Sequence, residues 1–394
     1  MLSLPRKLYG RKVTGRFVLV IITVLFLAAI YCWHLSSMTP GMSPAEVASR
    51  TSSSSIQRIK DSPINAPHTL VQLGFQKLGR HNTTMRFVSV LFALFFIACF
   101  YRVVSSWFGR SVGWFSTIIF AMTPIIIVAG RSATPDIMAL APLAIGAIYL
   151  WFTKQTVFSK PIFLILLTVL ALSLYVPGMV WLLLIAAVVS RKSFKKILNA
   201  TSRRWLIASL VLPLILIAPL IWRLVYEPSL IRNLTLVPAH WQSVWLTIKS
   251  IVWMGLGLVW RTGPTSPLII GRLPLLDIAQ IALALFGFYA MWRRARGKTY
   301  GLLTLIIFGV LVAGINANVN LLIYSLPAIG VLMAAGLRYL YIEWKGIFPL
   351  NPIPRGLAFF LILLLTAIQV LYGAHYGLVA WPHTVATHTS YVLK

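Results

Sequence analysis

Gly130-Arg131-Ser132-Ala133-Thr134-Pro135-Asp136 stands between two long apolar runs, 112–130 and 137–153, and reads as a polar connection between two membrane-crossing helices. An ionisable residue beside the bilayer core is costly and as a rule functional. Asp136 is therefore where a function is sought, because the chain holds only six carboxylates in 394 residues. The others are Glu46, Asp61, Glu227, Asp277 and Glu343.

Outward from this stretch the pattern repeats. Apolar runs at 17–34, 87–104, 161–175, 178–190, 205–223, 275–292, 300–317, 320–341 and 356–376 join the two already named, which predicts about eleven transmembrane helices and an all-α integral membrane protein. Composition agrees: 59% of residues are hydrophobic and 10% charged, as in a chain whose surface is mostly lipid. The net charge of +29 falls in short Lys/Arg clusters between apolar runs, which is the positive-inside pattern and excludes nucleic acid as the expected partner. Cys32 and Cys99 lie within apolar runs and lack the spacing of a zinc site.

The run 17–34 follows a basic stretch, Arg6 to Arg16, and reads as an uncleaved signal anchor. With the N-terminus cytoplasmic, the clusters Arg191-Lys192, Lys195-Lys196, Arg203-Arg204 and Arg293-Arg294-Ala295-Arg296-Gly297-Lys298 all fall inside. Parity then requires 241–260, which carries Lys249 and four tryptophans, to be an interfacial helix and not a span. One polytopic domain results: a first outer loop 35–85, a bundle 87–223, a second outer loop 224–274, a bundle 275–376 and a short outer tail 377–394. The long loops are expected to carry function and amphipathic interfacial helices, one of them His68 to Leu78 with Leu70, Val71, Phe75 and Leu78 on a stripe.

The signal anchor, the long first loop with an acidic residue near its start, Asn65-Ala66-Pro67-His68 before the second span, and Arg131 to Asp136 before the fourth resemble the GT-C polyprenyl-phosphate-sugar glycosyltransferases. The protein O-mannosyltransferases and the lipid A aminoarabinose transferases are nearest in pattern. Gly271-Arg272-Leu273-Pro274-Leu275-Leu276-Asp277 and Ser325-Leu326-Pro327-Ala328 are similar to segments opening later spans in that family. The resemblance implies a polyprenyl-phosphate-linked sugar donor, a lipid, glycan or protein acceptor on the non-cytoplasmic side, and inversion at the anomeric carbon. Such chemistry needs a carboxylate to take the acceptor proton and cations for the departing phosphate.

One departure matters. Many relatives carry Asp-Glu in the first loop, with the Asp as presumed base, whereas this chain reads Ala45-Glu46. Glu46 and Asp136 are the candidate catalytic acids; Arg131, Arg272, Arg261, Lys77 and Arg80 are candidates for the donor phosphate; His68, Asn316 and Asn318 are candidates for substrate contacts. Each has a plainer explanation. Ser43-Pro44-Ala45-Glu46 matches a helix capping box, Thr134-Pro135-Asp136 suits a helix start, Arg131 fits a span end, and Asn316 and Asn318 suit a turn. The seven histidines lack helix-face ligand spacing, so no metal site is assigned, although a divalent ion shared by Glu46 and Asp136 stays conceivable. Alternatives from other classes are a lipid or sugar flippase and a catalytically inactive relative that serves as a binding or assembly subunit, which Ala45 keeps open.

Overall fold

The computed structural model describes residues 6–79, 81–155, 159–188, 203–262, 266–348 and 351–393, and the side chains of all of these except 6–17, 19 and 203. Arg80 and the cluster from Arg191 to Lys196 lie outside the described residues. The order is α1 (Arg6–Cys32), α2 (Pro44–Ser52), α3 (Ile56–Asp61), α4 (Ala66–Leu78), α5 (Asn82–Phe108), α6 (Arg110–Ala121), α7 (Pro124–Arg131), a 3-10 turn (Pro135–Leu140), α8 (Ala141–Thr153) and α9 (Lys160–Ser173). After α10 (Met179–Val188) come α11 (Arg203–Tyr226), α12 (Ser229–Thr235), α13 (Val244–Val259), α14 (Ile278–Arg294), α15 (Arg296–Ile315), a second 3-10 turn (Val319–Ser325), α16 (Leu326–Ile347), α17 (Pro352–Ala374), a π turn (His375–Ala380) and α18 (Val385–Ser390).

The protein is a multi-pass, all-helical membrane protein. Six helical segments are long and apolar enough to cross a bilayer, and a seventh arises if α6 and α7 form one span bent by 66°. The bend has a local cause, because Pro124 opens α7 and lacks the N–H that would continue the α6 ladder. Each run expected to span contains a described helix, or for 112–130 the bent pair, and Val20–Cys32, Lys160–Ser173 and Met179–Val188 are shorter than a full crossing. In the most apolar 18-residue stretch of Val319–Ile347, 89% of residues are buried, against 17% in that of α11, so the former is the axis of the bundle and the latter lines its lipid side. A Cβ on Gly287 would sit 1.8 Å from the Leu332 carbonyl, and one on Gly336 would sit 1.9 Å from that of Leu283. Backbone contact of this kind between α14 and α16 is how small residues hold membrane helices together.

The first long loop folds into α2, α3 and α4. The apolar stripe expected on α4 is present, but its orientation is the reverse of a soluble helix. Leu70 and Leu78 are exposed while His68, Thr69 and Gln72 are buried, so the polar face packs on the protein and the apolar face is left for lipid. In the second loop α13 exposes Trp245 and Trp253, with Trp241 and Trp260 exposed just beyond its ends. The tail folds back onto the first loop, where Met42 pairs with Leu393 in an antiparallel bridge.

Candidate functional site

Ser43 caps α2: its hydroxyl accepts from the Glu46 N–H, and the Glu46 carboxylate accepts from the Ser43 N–H, 3.2 Å each. The capping box read from the sequence is therefore formed. The same carboxylate does more. Arg86, in the first turns of α5, donates to it from Nε and Nη2, both at 3.1 Å, and spends its remaining donors on the Leu35 and Gly41 carbonyls and the Thr39 hydroxyl. Both side chains are wholly buried. Such a pair is tolerated away from water only when its polar atoms find partners, and each nitrogen of the fork and both carboxylate oxygens have one here. Tyr391 from the tail closes over it, its hydroxyl interacting with Ser43 and Ser132. Burial pushes that phenol up from its ordinary value, helped by the Glu46 charge.

Glu46 also reaches the stretch between α7 and α8. Its Oε1 accepts from the Ala133 N–H at 2.8 Å. Gln72 of α4 donates to the Ala133 carbonyl at 3.2 Å, and Ser89 of α5 donates to the Thr134 carbonyl at 3.1 Å. Segment 133–134 is thus gripped from three helices. His68 Nε2 lies 3.0 Å from the Ser89 hydroxyl; because that hydroxyl already donates, the network assigns the proton to Nε2 and leaves Nδ1 without a partner. Burial lowers His68 from 6.5 to about 4. The clamp ends at Asp136, half-buried, whose Oδ2 accepts from the Thr134 hydroxyl at 2.6 Å. Tyr324, from the second 3-10 turn, stands within electrostatic range of Asp136 and donates to the Pro177 carbonyl.

An open cleft of about 530 Å³ adjoins this clamp. Ala45, Ser49, Thr69 and Pro135 form one wall; Pro177, Arg232, Leu236 and Asn316 form the other. The wall positions follow from local geometry. Gly178 takes φ +74 in the turn between α9 and α10 and donates to the Leu234 carbonyl, docking α12 beside that turn. Asn316 holds the same region by donating to the Leu236 carbonyl at 2.9 Å. Arg232 is the one cation lining the cleft among the described residues, and it is exposed. Ala45 presents its methyl to the cleft, while Glu46, one position on, turns into the protein.

The structure brings some of the expected residues together and separates others. Glu46 and Asp136 both fasten to the 133–136 segment, yet Glu46 has no surface an acceptor could reach. Its oxygens are taken by N–H donors, which leaves nothing for an ion shared with Asp136. Arg131 is 1% exposed and donates from Nη1 to the Gly377 carbonyl and from Nη2 to that of Trp33, tying α7 to α1 and the π turn. His68 is buried in the clamp. Lys77, Arg261 and Arg272 are exposed and do not line the cleft. Asn316 does line it, whereas Asn318 is exposed and caps the second 3-10 turn. Among the described residues no group of three or more His, Cys, Asp or Glu side chains comes together. Arg86 and Arg232 were missed from sequence. Arg86 carried a usable signal, a charge at the mouth of a span that needs a buried partner; Arg232 carried none.

Residues 63–222 match the family model described as dolichyl-phosphate-mannose-protein mannosyltransferase. Among solved structures, ArnT from Cupriavidus metallidurans in the apo state superposes with a TM-score of 0.59 at 15% identity, over 96% of this chain and 78% of that one. The same protein bound to undecaprenyl phosphate gives 0.52 at 14%, over 96% and 77%. No curated protein sequence matches the chain. The resemblance to the GT-C glycosyltransferases drawn from the motifs holds for the family model and for the fold.

Proposed function

We propose that the protein takes a sugar from a polyprenyl-phosphate-linked donor and passes it to an acceptor hydroxyl in the cleft beside Asp136, on the non-cytoplasmic side of the membrane. The observation that carries the reading is the cleft itself. It is lined by Pro135, the neighbour of Asp136 in the clamped segment, and by the cation Arg232, on a fold shared with a protein that binds undecaprenyl phosphate. The positive clusters at 293–298 and around Lys345 support an N-terminus on the cytoplasmic side.

In this reading the acceptor oxygen attacks the anomeric carbon from the face opposite the phosphate. A glycosidic C–O bond forms, the bond from that carbon to the phosphate oxygen breaks, and its electron pair leaves with the lipid phosphate. Configuration inverts. Asp136 takes the hydroxyl proton as the nucleophile forms its bond, and Arg232 faces the growing phosphate charge. Glu46 acts as a positioning residue because it accepts from the Ala133 N–H, and Arg86 acts through it by holding that carboxylate. Asn316, whose amide nitrogen donates to the Leu236 and Val312 carbonyls, would meet sugar hydroxyls through its Oδ1.

A second reading has its own observation. With alanine at position 45 on the cleft wall and Glu46 withdrawn into an ion pair, the chain would bind the lipid-linked sugar as an assembly subunit without turning it over. Purified full-length protein in nanodiscs, given polyprenyl-phosphate hexoses and pentoses with a short-chain alcohol acceptor, separates the two. Release of polyprenyl phosphate with an inverted glycoside supports the transferase; saturable donor binding with no release over hours supports the binding subunit and refutes it.

A further inference from the structure

At the opposite end of α5 from the clamp, roughly 27 Å away for the 18 residues from Ser89 to Trp107 at 1.5 Å each, a second cavity of about 210 Å³ opens between α5, α14, α15 and α16. Three cations converge on it from three helices: Arg294, Lys298 and Arg338. Lys298 lies over the Trp107 ring, 4.5 Å from its centroid, and Arg338 donates one bond from Nη1 to the Trp107 carbonyl at 2.9 Å. Their only nearby carboxylate among the described residues is Glu343, 3.8 Å from Arg294 with both side chains about half exposed. The start of α15 also opens here, and no side chain caps it. Met291, Phe108 and Ile342 supply apolar wall between the cations and the lipid-facing bundle.

Loose surface charge would satisfy the positive-inside rule without forming a cavity. Here one arginine is partly buried with most of its fork unspent, one lysine is held against an indole, and the uncapped start of α15 reaches the wall at Ala295. These groups share one complement, a phosphate ester. We propose that this cavity binds the phosphate of an anionic phospholipid headgroup from the leaflet opposite the cleft, with Arg294, Lys298 and Arg338 together as its ligands. A free phosphate would be held by the same donors, but the apolar wall favours a headgroup that continues into acyl chain. The site is independent of the transfer reaction, and its loss leaves the cleft intact.

Full-length protein in detergent, titrated with phosphatidylglycerol and with phosphatidylcholine, tests it by native mass spectrometry. Phosphatidylglycerol should bind at least fivefold more tightly, and the double substitution Arg294→Gln with Lys298→Gln should weaken it roughly tenfold, on the scale of lipid attraction per basic residue. Both side chains are exposed, so the variant is expected to fold; an unchanged melting temperature without lipid checks this. Lys345→Gln with Arg355→Gln, charges outside the cavity, should leave binding unchanged. Inorganic phosphate at millimolar concentration tells the sources apart. Failure to displace phosphatidylglycerol assigns the headgroup, whereas full displacement with no preference over phosphatidylcholine overturns the lipid assignment. Wild-type binding in the Arg294/Lys298 variant, or an equal loss in the control pair, overturns the site.

Discussion

Glu46→Ala isolates what the buried ion pair does. The carboxylate accepts two bonds from Arg86, one from Ser43 and one from Ala133, and its removal leaves a wholly buried guanidinium uncompensated. Stranding a buried charge costs about 3–5 kcal/mol, and the lost half of the capping box adds about 1 kcal/mol. Arg86→Met alone strands the carboxylate and costs a similar amount. The double variant strands neither charge, so its cost should fall to about 1–2 kcal/mol, below that of either single. Unfolding of detergent-solubilised membrane protein is often irreversible, so midpoints are compared at one scan rate. The double variant should melt above either single. If Glu46→Ala melts with the wild type, or the double variant melts no higher than the worse single, the pair does not brace the 133–136 segment and the positioning role fails.

Other outcomes follow from the same geometry. His68 is neutral in the fold with its value lowered to about 4 and titrates near 6.5 when unfolded, so the unfolded chain binds more protons in that window. Stability should be full above pH 6.5 and fall by about 3 kcal/mol as pH drops to 4; thermal melts at pH 7 and 5 should converge in His68→Gln, and equal slopes in the two proteins would refute this. Gly287→Ala drives a Cβ into the Leu332 carbonyl and should cost at least about 1–3 kcal/mol, whereas Gly301→Ala, with open space at its Cβ inside α15, should melt at or slightly above the wild type. Ala45→Asp puts a carboxylate on the cleft wall. If acid placement limits turnover it should raise release of polyprenyl phosphate severalfold, and a fall in donor binding without faster release would count against the cleft as the reaction site.

The helices were legible because bilayer thickness forces long apolar runs, and the break at Pro124 lies inside one of them, where an imino acid must interrupt the ladder. The capping box at Ser43 to Glu46 was legible because it is local. What the sequence did not disclose is long-range pairing. Nothing near Glu46 announces that Arg86, 40 residues on, takes its carboxylate, or that the Ala133 N–H takes a further lone pair. The stripe on α4 was read as interfacial, with the partners of its polar face unnamed. A period of 3.6 marks two faces, and only the contacts of Gln72 and His68 with α2, α5 and the 133–134 segment show that the polar one is inside. Arg232 was invisible for a related reason. Its place at the cleft depends on the Gly178 turn docking α12, a contact between segments more than 50 residues apart that no short motif encodes.

In the proposed reaction Asp136, and not the ion-paired Glu46, takes the acceptor proton. Single-turnover release of polyprenyl phosphate by Asp136→Asn, beside donor affinity measured on the same protein, tests it most directly. The prediction is a fall in rate of roughly 10²–10⁴ with donor binding within a few fold of wild type and an unchanged melting temperature. Turnover at the wild-type rate in folded Asp136→Asn would contradict it.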